Sequence, residues 1–368
     1  MSLASDRSFN GLTNQNRNVQ LRIPAVALAD LAEHDDRIVA ASADLKVSTQ
    51  LSEFEARHPK RFFQFGISER NMMAAAAGMA SCGLLPYVGT FASFSGLMCL
   101  ENIRTDMAYP NMAVRVLATH AGVACGFFAV SHHATEDISA VRAVANLMVL
   151  SPCDGNSAAA LIRSTVEVPG PIYMRFGRGR ETPVYPDDAT LAPGAPTVLR
   201  RGANVLIAAT GVMVQEALDA AERLEEAGIG STVVDVHTLK PFPNSALAEL
   251  AAAHGAVVTV EEHNVLGGLG SMVTEAVADA AVSTPIYRHG FYDEYAIIGS
   301  PTHLYEYYGL DGNGIATVVH RVLDLVQSGA LVARRAGSPL WTAEDRAAAL
   351  AAVRARSSRA TEVALPAH

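Results

Sequence analysis

The sequence predicts an α/β protein of two domains, each built on a mostly parallel sheet flanked by helices. Three observations lead there. The 368 residues exceed the ~100–200 of one ordinary domain, so there is chain enough for two cores. Short runs rich in Val, Ile and Ala alternate with alanine-rich stretches of helical length, the pattern of parallel strands covered on both faces. That rhythm breaks once, over Thr182–Thr197 (TPVYPDDATLAPGAPT), where four prolines and no helical period mark an extended connection.

The first domain is expected over 20–190, after an N-terminal arm at 1–19. Its elements read in order as a helix Val26–Glu33, a strand Arg37–Ser42 ending in Ala43-Asp44, and an apolar strand at Phe62. A Gly-Ile-Ser turn follows, then a small-residue helix Asn71–Cys82 and a buried strand Val114–Thr119. A helix over Ala134–Leu147, a strand Met148–Ser151, a helix Gly155–Val166 and a strand Ile172–Phe176 complete it. A linker at 191–197 leads to a second domain at 198–327, where NVLIAAT is a strand and Met213–Ala227 an amphipathic helix. STVVDVHTLKPFP is a strand and its exit, AVVTVEEH a further strand, and Gly270–Ala281 a helix. The tail 328–368 is Ala/Arg-rich, with a helix expected at Thr342–Arg356 and a loose end.

Composition removes several functions. With 28 Lys+Arg against 37 Asp+Glu the formal charge is −9, the wrong sign for a general nucleic-acid binder. Cys82, Cys99, Cys125 and Cys153 form no CxxC pair and suit neither a disulfide framework nor a structural zinc site. The opening residues are polar, and no apolar run approaches the ~20 residues that span a bilayer. A cytoplasmic protein without membrane or nucleic-acid partners is expected.

Four stretches carry candidate chemistry. In FFQFGISERNMMAAAAGMA, Glu69 begins a helix whose face is nearly all Ala and Gly. A carboxylate there gains ~0.3–1 kcal/mol from the helix dipole whatever else it does, while the small face allows another backbone to approach closely. In PYVGTFASFSGLMCLENIR, Phe91 and Phe94 follow a Gly-Thr turn, either as core or as a face on which a heteroaromatic ring stacks. His120 (THAG) and His132-His133 (SHHATED) fall at carboxyl ends of strands, the edge where ligands bind in open α/β sheets. Their spacing does not make a metal site, so no metal ligand is assigned. Arg175, in YMRFGR, could fork onto a phosphate or remain a solvated arginine. Gly267-Gly268-Leu269-Gly270 has no nucleotide-binding pattern and reads as a loop leading into a helix.

Taken in this order, the segments SADLKVST, FGISERNM, GTFASF, THAG…SHHATED, YMRFGR, LKPFP, EEHNVLGGLGS and YYGLDGNGI resemble the C-terminal half of transketolase. The likeness is to the separate C-terminal subunit of split, two-chain transketolases, and it runs from about residue 20 to 327. It implies thiamine diphosphate as cofactor, a pyrimidine-binding first domain and a transketolase C-terminal second domain. Glu69 then matches the glutamate that shares a proton with N1′ of the aminopyrimidine. Phe91 and Phe94 match the aromatic face against that ring, and Asp44 an aspartate of the same pocket. His120 and His132 match histidines that touch substrate oxygens and assist proton transfer, and Arg175 falls near a substrate-phosphate arginine.

The family's GDG…N segment, which holds the diphosphate and Mg²⁺, has no counterpart here. The resemblance therefore implies a separate subunit carrying that site, an α2β2 assembly and a β–β contact. Between THAG and SH, where split transketolases carry Gly-Glu-Asp-Gly-Ala, this chain reads Gly126-Phe127-Phe128-Ala129-Val130. Losing two acids removes hydroxyl acceptors, and an unpaired buried hydroxyl costs ~1–3 kcal/mol. Phe128 accordingly belongs with the substrate-binding residues, and Met98 replaces an arginine common in split relatives. The expectation is a two-carbon ketol or related acyl transfer to an aldehyde or carrier-bound acceptor, with an atypical pocket and a role in secondary metabolism. Two alternatives stay open: a 2-oxo acid dehydrogenase beta subunit using pyruvate-type donors, and a non-catalytic structural paralog.

Overall fold

The computed structural model describes residues 19–179, 181–330 and 339–363, so the expected N-terminal arm lies outside the described residues except for Val19. Both expected sheets form. The first has seven strands: β1 (Ile38–Ser42), β2 (Phe62–Gln64), β3 (Leu85–Phe91), β4 (Arg115–Thr119), β5 (Met148–Leu150), β6 (Ile172–Arg175) and β10 (Thr238–Lys240). The second has five: β7 (Thr197–Arg200), β8 (Val205–Ala209), β9 (Ser231–Asp235), β11 (Val257–Asn264) and β12 (Ile286–Phe291). Spatial orders are β10-β5-β6-β4-β3-β1-β2 and β12-β11-β8-β9-β7. Pairings are parallel except at β10 and β7, each of which lies at an edge. The central strands β1, β3 and β4 are buried along their whole length, as a sheet covered on both faces requires.

The two units are welded rather than tethered. The run Ser231–Pro243 is two strands, not one: β9 belongs to the second sheet, and β10 crosses over to pair antiparallel with β5 of the first. One apolar cluster also runs from Met72 and Met73 through Val116 and Tyr173 to Leu206, Val234 and Val257 of the second sheet. No helix among the described residues is long and apolar enough to cross a membrane.

Other expectations change in detail. The first helix begins at Val19 and carries Pro24 inside it. Gly89-Thr90 is not a turn but part of β3, where a side chain at Gly89 would strike Leu51. The helix expected over Ala134–Leu147 is only Asp137–Arg142. Ala134 is withdrawn from it by an antiparallel bridge to Gly122, and Asn146 turns the chain with φ 61°. In the tail, a helix spans Ala343–Val363 and is pinned to the second domain. Trp341 Nε1 donates to the Tyr307 carbonyl at 2.8 Å, Arg321 forks onto Asp345 at 2.6 and 2.9 Å, and Arg346 lies 4.9 Å above the Tyr308 ring.

Candidate active site

The chain direction across the first sheet reverses at β1, which lies between β2 and β3, and such a reversal opens a crevice at the carboxyl ends of the strands. That edge collects the expected residues. Asp44 follows β1, Phe91 ends β3, and His120 follows β4. Asp44 and His120 both have left-handed backbones, φ 62° and 59°, which a non-glycine residue keeps only when its surroundings hold it there. The Asp44 amide donates to Gln64 Oε1 at 2.7 Å, tying the ends of β1 and β2 together.

Glu69 opens the helix Glu69–Ser81, whose buried face of Met72, Met73, Ala76 and Ala77 fastens it to the core. The residue is 7% exposed, yet its carboxyl receives no hydrogen bond from the described residues. It lies beside Cys99, whose thiol is pushed up to about 12 by burial and then by the Glu69 charge. Cys99 ends the π-helical turn Phe94–Met98, an irregular winding that concentrates at functional sites and that swings Phe94 toward the edge.

The rings form one continuous group. Phe91 lies 5.6 Å from Phe94 and 4.2 Å from His120, centroid to centroid. His132 meets Phe94 edge-on at 5.3 Å and is stacked by Phe128 at 4.8 Å. His120 is buried, with Nδ1 3.0 Å from the Thr119 hydroxyl. His132 is half-buried, with Nδ1 2.9 Å from the Ser131 hydroxyl. Burial lowers the His132 pKa, which favours the neutral imidazole near pH 7, able to give a proton or take one. Phe127 and Phe128 stay 54% and 59% exposed at the mouth of this group. Between them and His132, Ala129 adopts φ 55°, ψ −153°, a conformation suited to glycine.

Arg175 requires a correction. Instead of reaching a substrate phosphate it is 3% exposed and spent inside the protein. Its Nε donates to both Asp137 oxygens at 3.2 and 3.0 Å, and Nη2 to the carbonyls of Ala134 and Glu262 at 3.1 and 3.0 Å. The sequence reading also missed three residues around it. Asp137 lies inside SHHATED and Glu262 inside EEH, but no spacing rule pairs them, and Tyr305 carried no signal at all. Among the described residues no cluster of three or more His, Cys, Asp or Glu side chains is arranged to hold a metal ion.

Comparisons with known proteins agree with this architecture. The family profile for the transketolase pyrimidine binding domain matches residues 23–182, and that for the transketolase C-terminal domain matches 194–315. A Methanocaldococcus jannaschii protein named for the transketolase C-terminal section is 37% identical over 291 residues, 78% of this chain and 91% of the relative. The 6-deoxy-6-sulfo-D-fructose transketolase subunit SqwH of Clostridium sp. is 33% identical over 81% of this chain and 92% of its own length. A Phocaeicola vulgatus protein named as one of the subunits of apulose-4-phosphate transketolase is 34% identical over 78% and 92%. Among solved structures, a split-gene transketolase described as an inactive β4 tetramer superposes with TM-score 0.75 at 38% identity, covering 84% of this chain and 99% of that one. Pichia stipitis transketolase, 20% identical with TM-score 0.66, shares the fold. The chain belongs to the transketolase family and corresponds to its C-terminal section.

Proposed function

We propose that this chain is the pyrimidine-activating half of a two-chain, thiamine diphosphate-dependent transferase that moves a two-carbon ketol or related acyl unit from a ketone donor to an aldehyde or carrier-bound acceptor. One observation carries the reading: the largely buried residue Glu69 takes no side-chain hydrogen bond from the described residues and stands beside Cys99, at the end of the turn that carries Phe94. Enzymes of the transketolase family use thiamine diphosphate and a divalent metal, and the residues present fit the pyrimidine half of that cofactor. Glu69 would hold a proton shared with a ring nitrogen, and Phe91 and Phe94 would flank the ring. We assign Asp44, which follows β1 at the same sheet edge, to the same cofactor site. Bound there, the cofactor supplies an electron sink for carbon–carbon cleavage.

His120 and His132 are the groups we assign to substrate oxygens. Both lie against Phe91, at 4.2 and 6.0 Å between centroids, so a molecule over that face is within reach of either imidazole. Phe128 narrows the approach beside His132 with apolar surface. This favours a donor or acceptor with fewer hydroxyls than an ordinary ketose phosphate, or one bound to a carrier. The names of two relatives, one for a sulfo-deoxy sugar and one for apulose 4-phosphate, support departures of that kind. The same apolar mouth gives the 2-oxo acid reading its one supporting observation.

A second subunit is part of the proposal, since the segment that holds a diphosphate and its Mg²⁺ in this family has no match in the sequence. The uncovered front of the first domain supports it. Phe63, Ile67, Leu97 and Met98 are 37%, 85%, 42% and 41% exposed, and a Cβ on Gly78 of the small-residue helix would meet nothing within 4 Å. We assign that front to the diphosphate-binding subunit and a second copy of this chain in an α2β2 assembly. Calorimetry tests this directly: the isolated chain should bind thiamine diphosphate weakly and the reconstituted pair tightly, with Mg²⁺. Tight binding by the chain alone would sink the two-chain arrangement. Release of CO₂ from pyruvate without ketol transfer would move the assignment to the 2-oxo acid reading.

A further inference from the structure

We infer that Glu262, a residue of the second domain, is the positioning residue that sets the loop between the two site histidines. The inference rests on the catalytic reading of His120 and His132 given above, and the contacts that carry it are independent of any ligand. Glu262 is 2% exposed at the carboxyl end of β11. Its Oε1 accepts from the Val123 amide at 2.8 Å and from the Tyr305 hydroxyl at 2.7 Å. Its backbone carbonyl takes Arg175 Nη2 at 3.0 Å. Its other oxygen, Oε2, has no hydrogen-bond partner and lies under Gly122.

What sits above the carboxyl is the turn that leaves His120. A Cβ on Gly122 would fall 2.0 Å from the Glu262 Cδ, and Gly122 has φ 58°, so only glycine fits there. Gly122 also exchanges both backbone hydrogen bonds with Ala134, at 3.1 and 2.8 Å, two residues after His132. Arg175 closes the loop by holding the Ala134 carbonyl and Asp137. One buried side chain from the second domain therefore fixes, through two backbone segments, where both imidazoles stand relative to Phe91. The same oxygen thus ties Tyr305 of the second domain to the turn that leaves His120 in the first.

The test uses Glu262→Gln, Glu262→Ala and Tyr305→Phe. Gln keeps the acceptor for Val123 and Tyr305; Ala removes it; Tyr305→Phe removes one donor while leaving the carboxyl in place. Two readouts are taken: ¹⁵N chemical shifts of the His120 and His132 rings in the isolated full-length chain, and steady-state kinetics of the chain reconstituted with its partner. Glu262→Ala should shift both rings and lower kcat about 100-fold, with KM and cofactor affinity within about threefold. Glu262→Gln should restore the shifts and most of kcat. If Glu262→Ala fails to fold, Tyr305→Phe should still shift the His120 ring and cost about fivefold in kcat. Unmoved rings in a variant that only melts earlier would overturn the inference. Moved rings in a variant whose reconstituted wild type turns over no ketone would preserve the positioning role and refute the functional reading instead.

Discussion

Two regions of the molecule place ionisable side chains away from solvent and use them in opposite ways. At the sheet edge Glu69 is 7% exposed and takes no side-chain hydrogen bond from the described residues, beside Cys99 at the end of the turn that carries Phe94. At the seam between domains Asp137, Arg175 and Glu262 are also buried: Asp137 and Arg175 pair with each other, with the Tyr173 hydroxyl and with backbone carbonyls, and Glu262 accepts from the Val123 amide and the Tyr305 hydroxyl. Desolvating an ionisable group costs free energy that nearby partners must offset. At the seam the Asp137–Arg175 pair offsets that cost locally and so serves as scaffold. At the edge Glu69 takes no side-chain hydrogen bond from the described residues, which leaves its carboxyl open to a ligand. Arg175 and Glu69 both look functional in the sequence, and only this contrast separates them.

The contrast can be broken most decisively at Glu69. Glu69→Ala in the reconstituted enzyme should cut kcat by ~10³-fold, within the range of a proton-handling group. Its thermal stability should fall by no more than the ~0.3–1 kcal/mol of a helix-dipole contact. Unchanged turnover would favour the structural-paralog reading. Arg175→Met should do the reverse, destabilising the chain by ~3–5 kcal/mol in urea titrations because the buried Asp137 loses its cationic partner and keeps only the Tyr173 hydroxyl. An exposed substrate arginine would lose almost no stability on that replacement.

Smaller effects sharpen the edge. Phe128→Asp restores an acid beside His132 and should raise kcat/KM toward a polyol ketose phosphate roughly 10-fold, within the ~1–3 kcal/mol of one unpaired hydroxyl. No gain would show that the apolar mouth does not govern substrate choice. Ala129→Gly should stabilise the chain by ~1 kcal/mol, read as a shifted urea midpoint, since glycine enters φ 55°, ψ −153° without a Cβ clash. The smallest effect expected is a flat one. Burial pushes Asp235, Glu261 and Glu262 up to about 7 and His237, His263 and His289 down to about 4. The raised carboxyls lose stability as pH climbs from their unfolded values toward 7. The depressed histidines lose it as pH falls from about 6.5 toward 4. Between pH ~4.5 and ~6.5 the two sets oppose each other, so urea midpoints should vary little there. A steep slope of either sign would show that one set is not buried in the state it is assigned.

Much of the molecule was legible from its sequence for a local reason. Apolar runs of strand length, the helix Gly155–Ser164 with its Asp154 capping box and the Pro-rich connection are all governed by neighbours in the chain. The same holds for Glu69 at a helix start and for Phe91 and His120 at strand ends, so the edge of the site could be assembled from motifs. Where the reading failed, a distant partner decided. The helix after His132 is shortened by a bridge to Gly122, β10 leaves its own sheet for β5, and Gly89 is straightened into β3 against Leu51.

By itself, then, the sequence determined the two sheets, the family and the residues brought to the carboxyl edge, because periodicity, turn chemistry and strand ends are short-range properties. Only the tertiary structure decided which charges are spent. Whether Arg175 meets solvent or Asp137, and whether Glu262 reaches back 139 positions to the turn beneath His120, depends on packing two domains together, and no interval along the chain encodes that distance.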